Sequence, residues 1–303
     1  MEKPVKILQP NRFAPAGPGG DGHFASAARA PAIEPRQILT IAHKELRDRL
    51  RNRWVLAVAL VFTIFALVIA YFGGAQQGAV GLRSIEFTIT SLVSLVIYLI
   101  PLIALLLGFD AIVGERERGS LDLLLALPIT RLELLLGKYL GLAAALTLST
   151  MAGFGLVAAV LAAQTGTAGL GPYVGFMFSS VLLGLAFLSL AVMLSVLAAD
   201  RTRASGLAIA TWFFFVLVFD LLLLGLLVAS GGETGTDWFP YLLLLNPADV
   251  FRILNVFSLD DVRTLYGLTS IVPAALAKPW LMALVMLGWI AAPLAVASWR
   301  FRP

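Results

Sequence analysis

Apolar residues run almost unbroken for about twenty positions at a time, and polar residues gather in the gaps. The runs lie near 54–72, 87–109, 138–163, 173–198, 205–229 and 279–299. At 1.5 Å per helical residue, each matches the hydrocarbon thickness of a bilayer, which predicts six spanning helices. Residues 1–34 are rich in Ala, Pro and Gly, a composition predicted to form a disordered tail. The tail has no apolar core like that of a cleaved signal peptide. From Pro35 the pattern changes. Leu39, Ala42, Leu46, Leu50 and Trp54 recur at helical spacing, with Arg36, Lys44, Arg47, Arg49, Arg51 and Arg53 on the other faces. This predicts a basic amphipathic helix over 35–53, lying in the headgroup region with its stripe toward acyl chains.

The second and third runs are separated by a polar interruption, Asp110 to Arg131. Its four alternating charges, Glu115, Arg116, Glu117 and Arg118, cannot lie in hydrocarbon, so it belongs on an aqueous face. Gly114 and Gly119 bracket the tetrad and predict a turn into a short helix near 119–128, stopped by Pro128. Thr130 and Glu133 have the spacing of a capping box opening the next helix. Leu121, Leu123, Leu124, Leu125 and Leu127 are too much apolar surface to leave wet without a partner.

The longest gap between runs, 230–278, has its own pattern. Trp238, Phe239 and Tyr241 suit an interfacial belt. Asn246-Pro247 reads as an N-cap with Pro at the first helical position, opening a short helix that carries Val250, Phe251, Arg252, Ile253 and Leu254.

Composition agrees with a polytopic membrane protein: 59% hydrophobic, 13% charged and mean hydropathy +0.91. Soluble domains carry about a quarter charged residues. The pI near 9.6 follows from the loops and does not call for nucleic acid. With both termini cytoplasmic, every one of the 22 Lys and Arg except Arg83, Arg252, Arg263 and Lys278 falls on the inner side. The positive-inside rule therefore selects that topology, with 230–278 outside.

Several chemistries are excluded. The chain has no cysteine, and its two histidines, His23 and His43, precede the first run. Gly137-Lys138 resembles the end of a phosphate-binding loop, but Leu132 stands where that loop needs glycine, so the chain is not expected to bind ATP. No metalloprotease or nucleophile-elbow motif is present.

The interruption resembles a known family. Glu115-Arg116-Glu117-Arg118-Gly119-Ser120-Leu121, Leu124-Leu125, Pro128, Arg131 and Gly137-Lys138 match the pattern of ABC-2 class permeases, the membrane subunits of ATP-driven transporters. Ser120 stands where Thr is commoner, which keeps a hydroxyl for the helix cap. The resemblance implies an all-α, type V exporter-like permease fold with six transmembrane helices, an N-terminal elbow helix over 35–53 and a cytoplasmic coupling helix. Glu115, Arg116, Glu117, Arg118, Leu121, Leu124, Leu125 and Pro128 would then dock a separate ATPase. Residues 44–54, 217–221 and 243–255 look like the group within that class that serves copper-centre maturation of nitrous-oxide reductase. That resemblance, over residues 35–302, implies a homodimer in the bacterial inner membrane, two copies of a cytoplasmic ATPase (NosF-like) and a periplasmic β-helical protein (NosD-like). No cofactor is expected on this chain; ATP and Mg belong to the partner ATPase.

Asp220 interrupts the fifth run and is expected to face the bundle interior or a dimer seam, as a cation or proton site or as a structural hydrogen bond. Soft Cu(I) needs thiolate, thioether or imidazole. Beyond residue 53 only Met151, Met177, Met193, Met282 and Met286 supply any of these, scattered over several helices, so no metal site is assigned. The expected role is mechanical. Motion enters at Leu121 to Pro128 and leaves through a periplasmic docking surface at Trp238, Phe239, Asn246, Pro247, Phe251 and Arg252. Two other readings fit the same residues: an ABC-2 exporter of a lipid, peptide or sulfur-containing small molecule, and a non-ABC carrier or scaffold.

Overall fold

The computed structural model describes residues 33–51, 53–72, 85–166, 170–229, 239–256 and 278–302. Trp238 and all but the last two residues of the expected tail lie outside these residues, and so does the side chain of Phe239. Every described element is helical. In chain order they are α1 (Pro35–Leu50), α2 (Arg53–Phe72), α3 (Ile85–Gly108), α4 (Val113–Glu117), α5 (Ser120–Leu125), α6 (Arg131–Thr165), α7 (Leu170–Leu197) and α8 (Arg201–Phe213). A π-helical turn, Phe214–Val218, joins α8 to α9 (Phe219–Ala229). Then come α10 (Phe239–Leu242), a 3₁₀ turn (Leu243–Leu245), α11 (Pro247–Val256) and α12 (Pro279–Arg300).

Five described stretches are long and apolar enough to cross a membrane: α3, α6, α7, α8 with α9, and α12. Helix α2 adds twenty residues in which Arg53 is the one charge. The protein is thus an all-α, multi-pass membrane protein. Helix α7 is the axis of the bundle, apolar all round and packed by α3, α6 and α12. Its serines are all bonded: Ser180 donates to the Phe176 carbonyl within the helix at 2.7 Å, and Ser189 to the carbonyls of Ala186 in the helix and Trp289 on α12 at 2.7 and 3.1 Å.

One length mismatch organises the charged end. Helix α6 has 35 residues, about 52 Å against roughly 30 Å of hydrocarbon. About 12 Å of the excess is its first eight residues, before the continuous apolar run that begins beyond Lys138. Helix α1 packs on this overhang. The two run in parallel register: the Glu34 N–H donates to Glu133 at 2.6 Å, and Ile38, Ile41, Ala42 and Glu45 close over Gly137 and Gly141. A Cβ on Gly137 would lie 2.6 Å from the Ile41 Cβ, and one on Gly141 would lie 2.6 Å from the Ala42 carbonyl oxygen. The Gly-x-x-x-Gly spacing therefore seats α1. This corrects the expectation that the whole stripe of α1 faces acyl chains. Ala42 and Leu46 are half-buried, whereas Leu39 and Leu50 are exposed. A 3.6-residue period shows that one face is covered but not whether lipid or helix covers it.

The far end holds a second departure. Helix α11 does not lie outside the bundle. It packs among α7, α12 and α3, with Asn246, Pro247, Ala248, Val250, Phe251 and Ile253 buried. Depth can be counted along its neighbours. Trp289 donates to the Leu244 carbonyl at 3.0 Å, and Trp289 lies about 15 Å along α12 from Pro279. Ser179, about 13 Å along α7 from Leu170, donates to Asn255 at 2.9 Å. The segment thus reaches into the bundle. Non-helical backbone is tolerated at that depth only where protein satisfies it. Asn246 does so: its Oδ1 accepts from the Ala248 N–H at 3.0 Å, and its Nδ2 donates to the Phe215 carbonyl and to Asp249, each at 2.9 Å.

Two substitutions test this packing. Gly141→Val should push α1 off α6 and cost about 1–3 kcal/mol, measured as a lower Tm in detergent; an unchanged Tm contradicts the seat. Asn246→Ala should cost about 1–3 kcal/mol by orphaning buried groups, and an unchanged Tm would show that α11 is not held by its cap.

Candidate functional site: the charged end

The interruption between α3 and α6 folds as two short helices. The charged tetrad belongs mostly to α4, a helix where the sequence suggested a turn. Its start is held from outside: the Ser195 hydroxyl accepts from the Ile112 and Val113 N–H groups at 2.9 and 3.0 Å. Gly119 then adopts a left-handed conformation, φ 69°, which turns the chain into α5. The Thr130–Glu133 capping box forms at the start of α6.

Successive residues of a helix point about 100° apart, so four consecutive charges reach different neighbours. Glu115 reaches inward to α6, where Lys138 Nζ lies 3.1 Å from its carboxylate. Arg116 donates to the Ala198 and Val196 carbonyls at 2.9 and 3.4 Å, closing the C-terminus of α7. Glu117 accepts from the Arg201 N–H at 2.7 Å, at the N-terminus of α8, where a carboxylate is favoured. Arg118 lies 3.7 Å from Glu115, and it, Arg116 and Glu117 all remain exposed, whereas Glu115 is half-buried. Asp110 adds an ion pair with Arg201 at 3.0 Å, and the Arg201 guanidinium sits over the Phe109 ring. Ser120 does not cap α5; its hydroxyl reaches back to the Glu115 carboxylate. Burial alone would raise the Glu115 carboxyl, but Ser120 and Lys138 outweigh it and hold the group below the ordinary carboxylate range.

The leucines divide by face. Leu121 is 8% exposed and belongs to the core, with Leu124 and Leu125 packed partly against it. Leu123 at 73% and Leu127 at 54% are the exposed ones, with Asp122, Ala126 and Pro128 exposed around them. The sequence-based set named Leu121, Leu124 and Leu125 as the docking surface. The structure turns those three toward the bundle and leaves Leu123 and Leu127 outside. Spacing alone does not separate the two sets, since Leu121 and Leu125 are i,i+4 neighbours just as Leu123 and Leu127 are.

The expected outer docking set is not one surface. Asn246, Pro247 and Phe251 are buried, so a partner cannot touch them without unpacking α11. Arg252 is half-exposed and carries out a different task. It pairs with Asp220 at 3.2 Å and with Asp249. Asp220 therefore has an ionic partner at membrane depth, which the sequence reading missed by placing Arg252 outside. A cavity of about 510 Å³ lies beside α11, lined by Ile89, Phe176, Ser179, Leu254, Asn255 and Trp280 among others, with no charged side chain among the described residues.

Comparison with known proteins extends this picture over nearly the whole chain. Residues 39–302 match the family described as ABC-2 family transporter protein. Over 271 residues, 88% of this chain and 98% of the relative, the sequence is 47% identical to the "Probable ABC transporter permease protein NosY" of Pseudomonas aeruginosa. Over 273 residues, with the same coverage, it is 45% identical to the protein of that name in Stutzerimonas stutzeri. The chain accordingly belongs to the ABC-2 family and is a permease subunit of an ABC transporter.

Proposed function

We propose that the charged end is cytoplasmic and receives an ATPase subunit, and that the chain transmits the ATPase's motion across the bacterial inner membrane. The observation that carries this reading is the face formed by Leu123, Ala126, Leu127 and Pro128. Glu115, Arg116 and Glu117 of the neighbouring helix are bonded within the chain, whereas these apolar side chains are exposed. Positive-inside counting supports the same orientation, with both termini cytoplasmic. ATP and Mg are held by the partner, a NosF-like ATPase in two copies on a homodimer of this chain.

The wider role we assign is support of copper-site assembly in nitrous-oxide reductase, together with a NosD-like β-helical periplasmic protein. It rests on the likeness to NosY permeases over 88% of the chain. The role is mechanical. Met282 and Met286, the one pair of thioethers on a shared helix face, are both buried in the apolar core, where they pack. Movement of α7 and α12 reaches the far side through α11, which both helices grip. One observation favours a second reading, export of an apolar small molecule or lipid: the uncharged cavity beside α11.

Leu123→Asp combined with Leu127→Asp should weaken ATPase binding at least about a hundredfold, since two buried leucines contribute roughly 3 kcal/mol or more. Co-purification in mild detergent measures it. An ATPase retained at full stoichiometry by this variant, which leaves the bundle intact, overturns the docking assignment.

A further inference from the structure

Gly137-Lys138 failed as a phosphate loop, and docking does not use it. Its geometry gives it other work. Lys138 lies on α6 with its side chain 7% exposed, and its ammonium sits 3.2 Å from Glu45 of α1 and 3.1 Å from Glu115 of α4. Glu45 is held in turn by Arg49 at 3.1 Å, and Glu115 by Arg118 at 3.7 Å. The result is one line of alternating charge, Arg49, Glu45, Lys138, Glu115, Arg118, crossing three elements. Releasing either carboxylate would leave the buried ammonium with one partner in place of two and take that carboxylate from its buried contact, which is unfavourable at so low an exposure. Gly137 adds a steric constraint beside the electrostatic one, because the α1 backbone lies against it.

We propose that Lys138 locks the elbow helix α1 to α4, and so to the docking helix that follows it, making these elements one rigid input unit. The inference rests on the proposed docking of an ATPase and deepens it. Force received at Leu123 and Leu127 passes through α4 and Lys138 to α1 and the overhang of α6 together. Helix α1 is then a working part of the lever rather than a passive anchor. Lys138 acts as a positioning residue; it touches neither nucleotide nor the ATPase-facing leucines.

The chain contains no cysteine, so paired spin labels can be placed without background. The test labels Lys44→Cys on α1 and Glu117→Cys on α4, both exposed and neither part of the charge line, in the whole complex, in lipid nanodiscs. Electron–electron double resonance then measures their separation with ADP and with ATP plus vanadate. One narrow separation, the same in both states, is expected. Lys138→Met should lose that single population, and Lys138→Arg should restore it. A separation that changes with nucleotide in the parent overturns the proposal, and so does a narrow population retained by Lys138→Met. Should Lys138→Met fail to fold, Glu45→Gln keeps the Lys138–Glu115 pair and must show the same loss. Failure of the docking reading is seen separately, as absence of the ATPase from the purified complex.

Discussion

A lysine ammonium at the edge of a bilayer must be hydrated or paired, and Lys138 is paired twice, with Glu45 and with Glu115. The rest of the charged end follows from that constraint. Helix α6 has to extend past the hydrocarbon to present Lys138, α1 has to lie on the extension to bring Glu45, and α4 has to turn back over it to bring Glu115. Once those three are joined, Arg116 and Glu117 have only the ends of α7 and α8 within reach, and both ends have unsatisfied backbone groups. Glu115, Arg116 and Glu117 are thus tied to the chain's own helices, and the apolar face of α5 has no such tie within the chain.

The opposite end obeys the backbone rule of the membrane interior. A chain that dips into the bundle must satisfy each N–H and C=O it brings. Asn246 and the indole of Trp289 do this at the turn, and farther along Asn255, itself held by Ser179, donates to the Phe251 carbonyl. The π-helical turn at Phe214–Val218 frees the Phe215 carbonyl to accept from Asn246. Arg252 and Asp220 then neutralise each other across the α9–α11 contact. The two ends are therefore built alike: an irregular segment closed by charges, gripping the same long helices.

Much of this could be read from residue patterns. Hydrophobic length located the spanning helices because the bilayer sets a length that twenty residues must match. The capping box located the start of α6, since its hydrogen bonds are local. Three features could not be read, each because the partner is distant in sequence. The stripe of α1 gave no indication that Gly137 and Gly141 would cover it. Leu121, Leu124 and Leu125 looked as available as Leu123 and Leu127 until the helix had an orientation. Phe251 and Asn246 looked external because hydropathy counts spans and cannot see a short segment that enters the bundle without crossing it.

The central claim is that α5 meets an ATPase through Leu123 and its neighbours while Leu121 faces the bundle. Site-directed cross-linking tests it most directly, since introduced cysteines have no native competitor. In native membranes, Leu123→Cys with a short bifunctional thiol–amine reagent should yield one band containing this chain and the ATPase subunit, and Leu121→Cys should yield none. A cross-link from Leu121→Cys with none from Leu123→Cys would contradict the account.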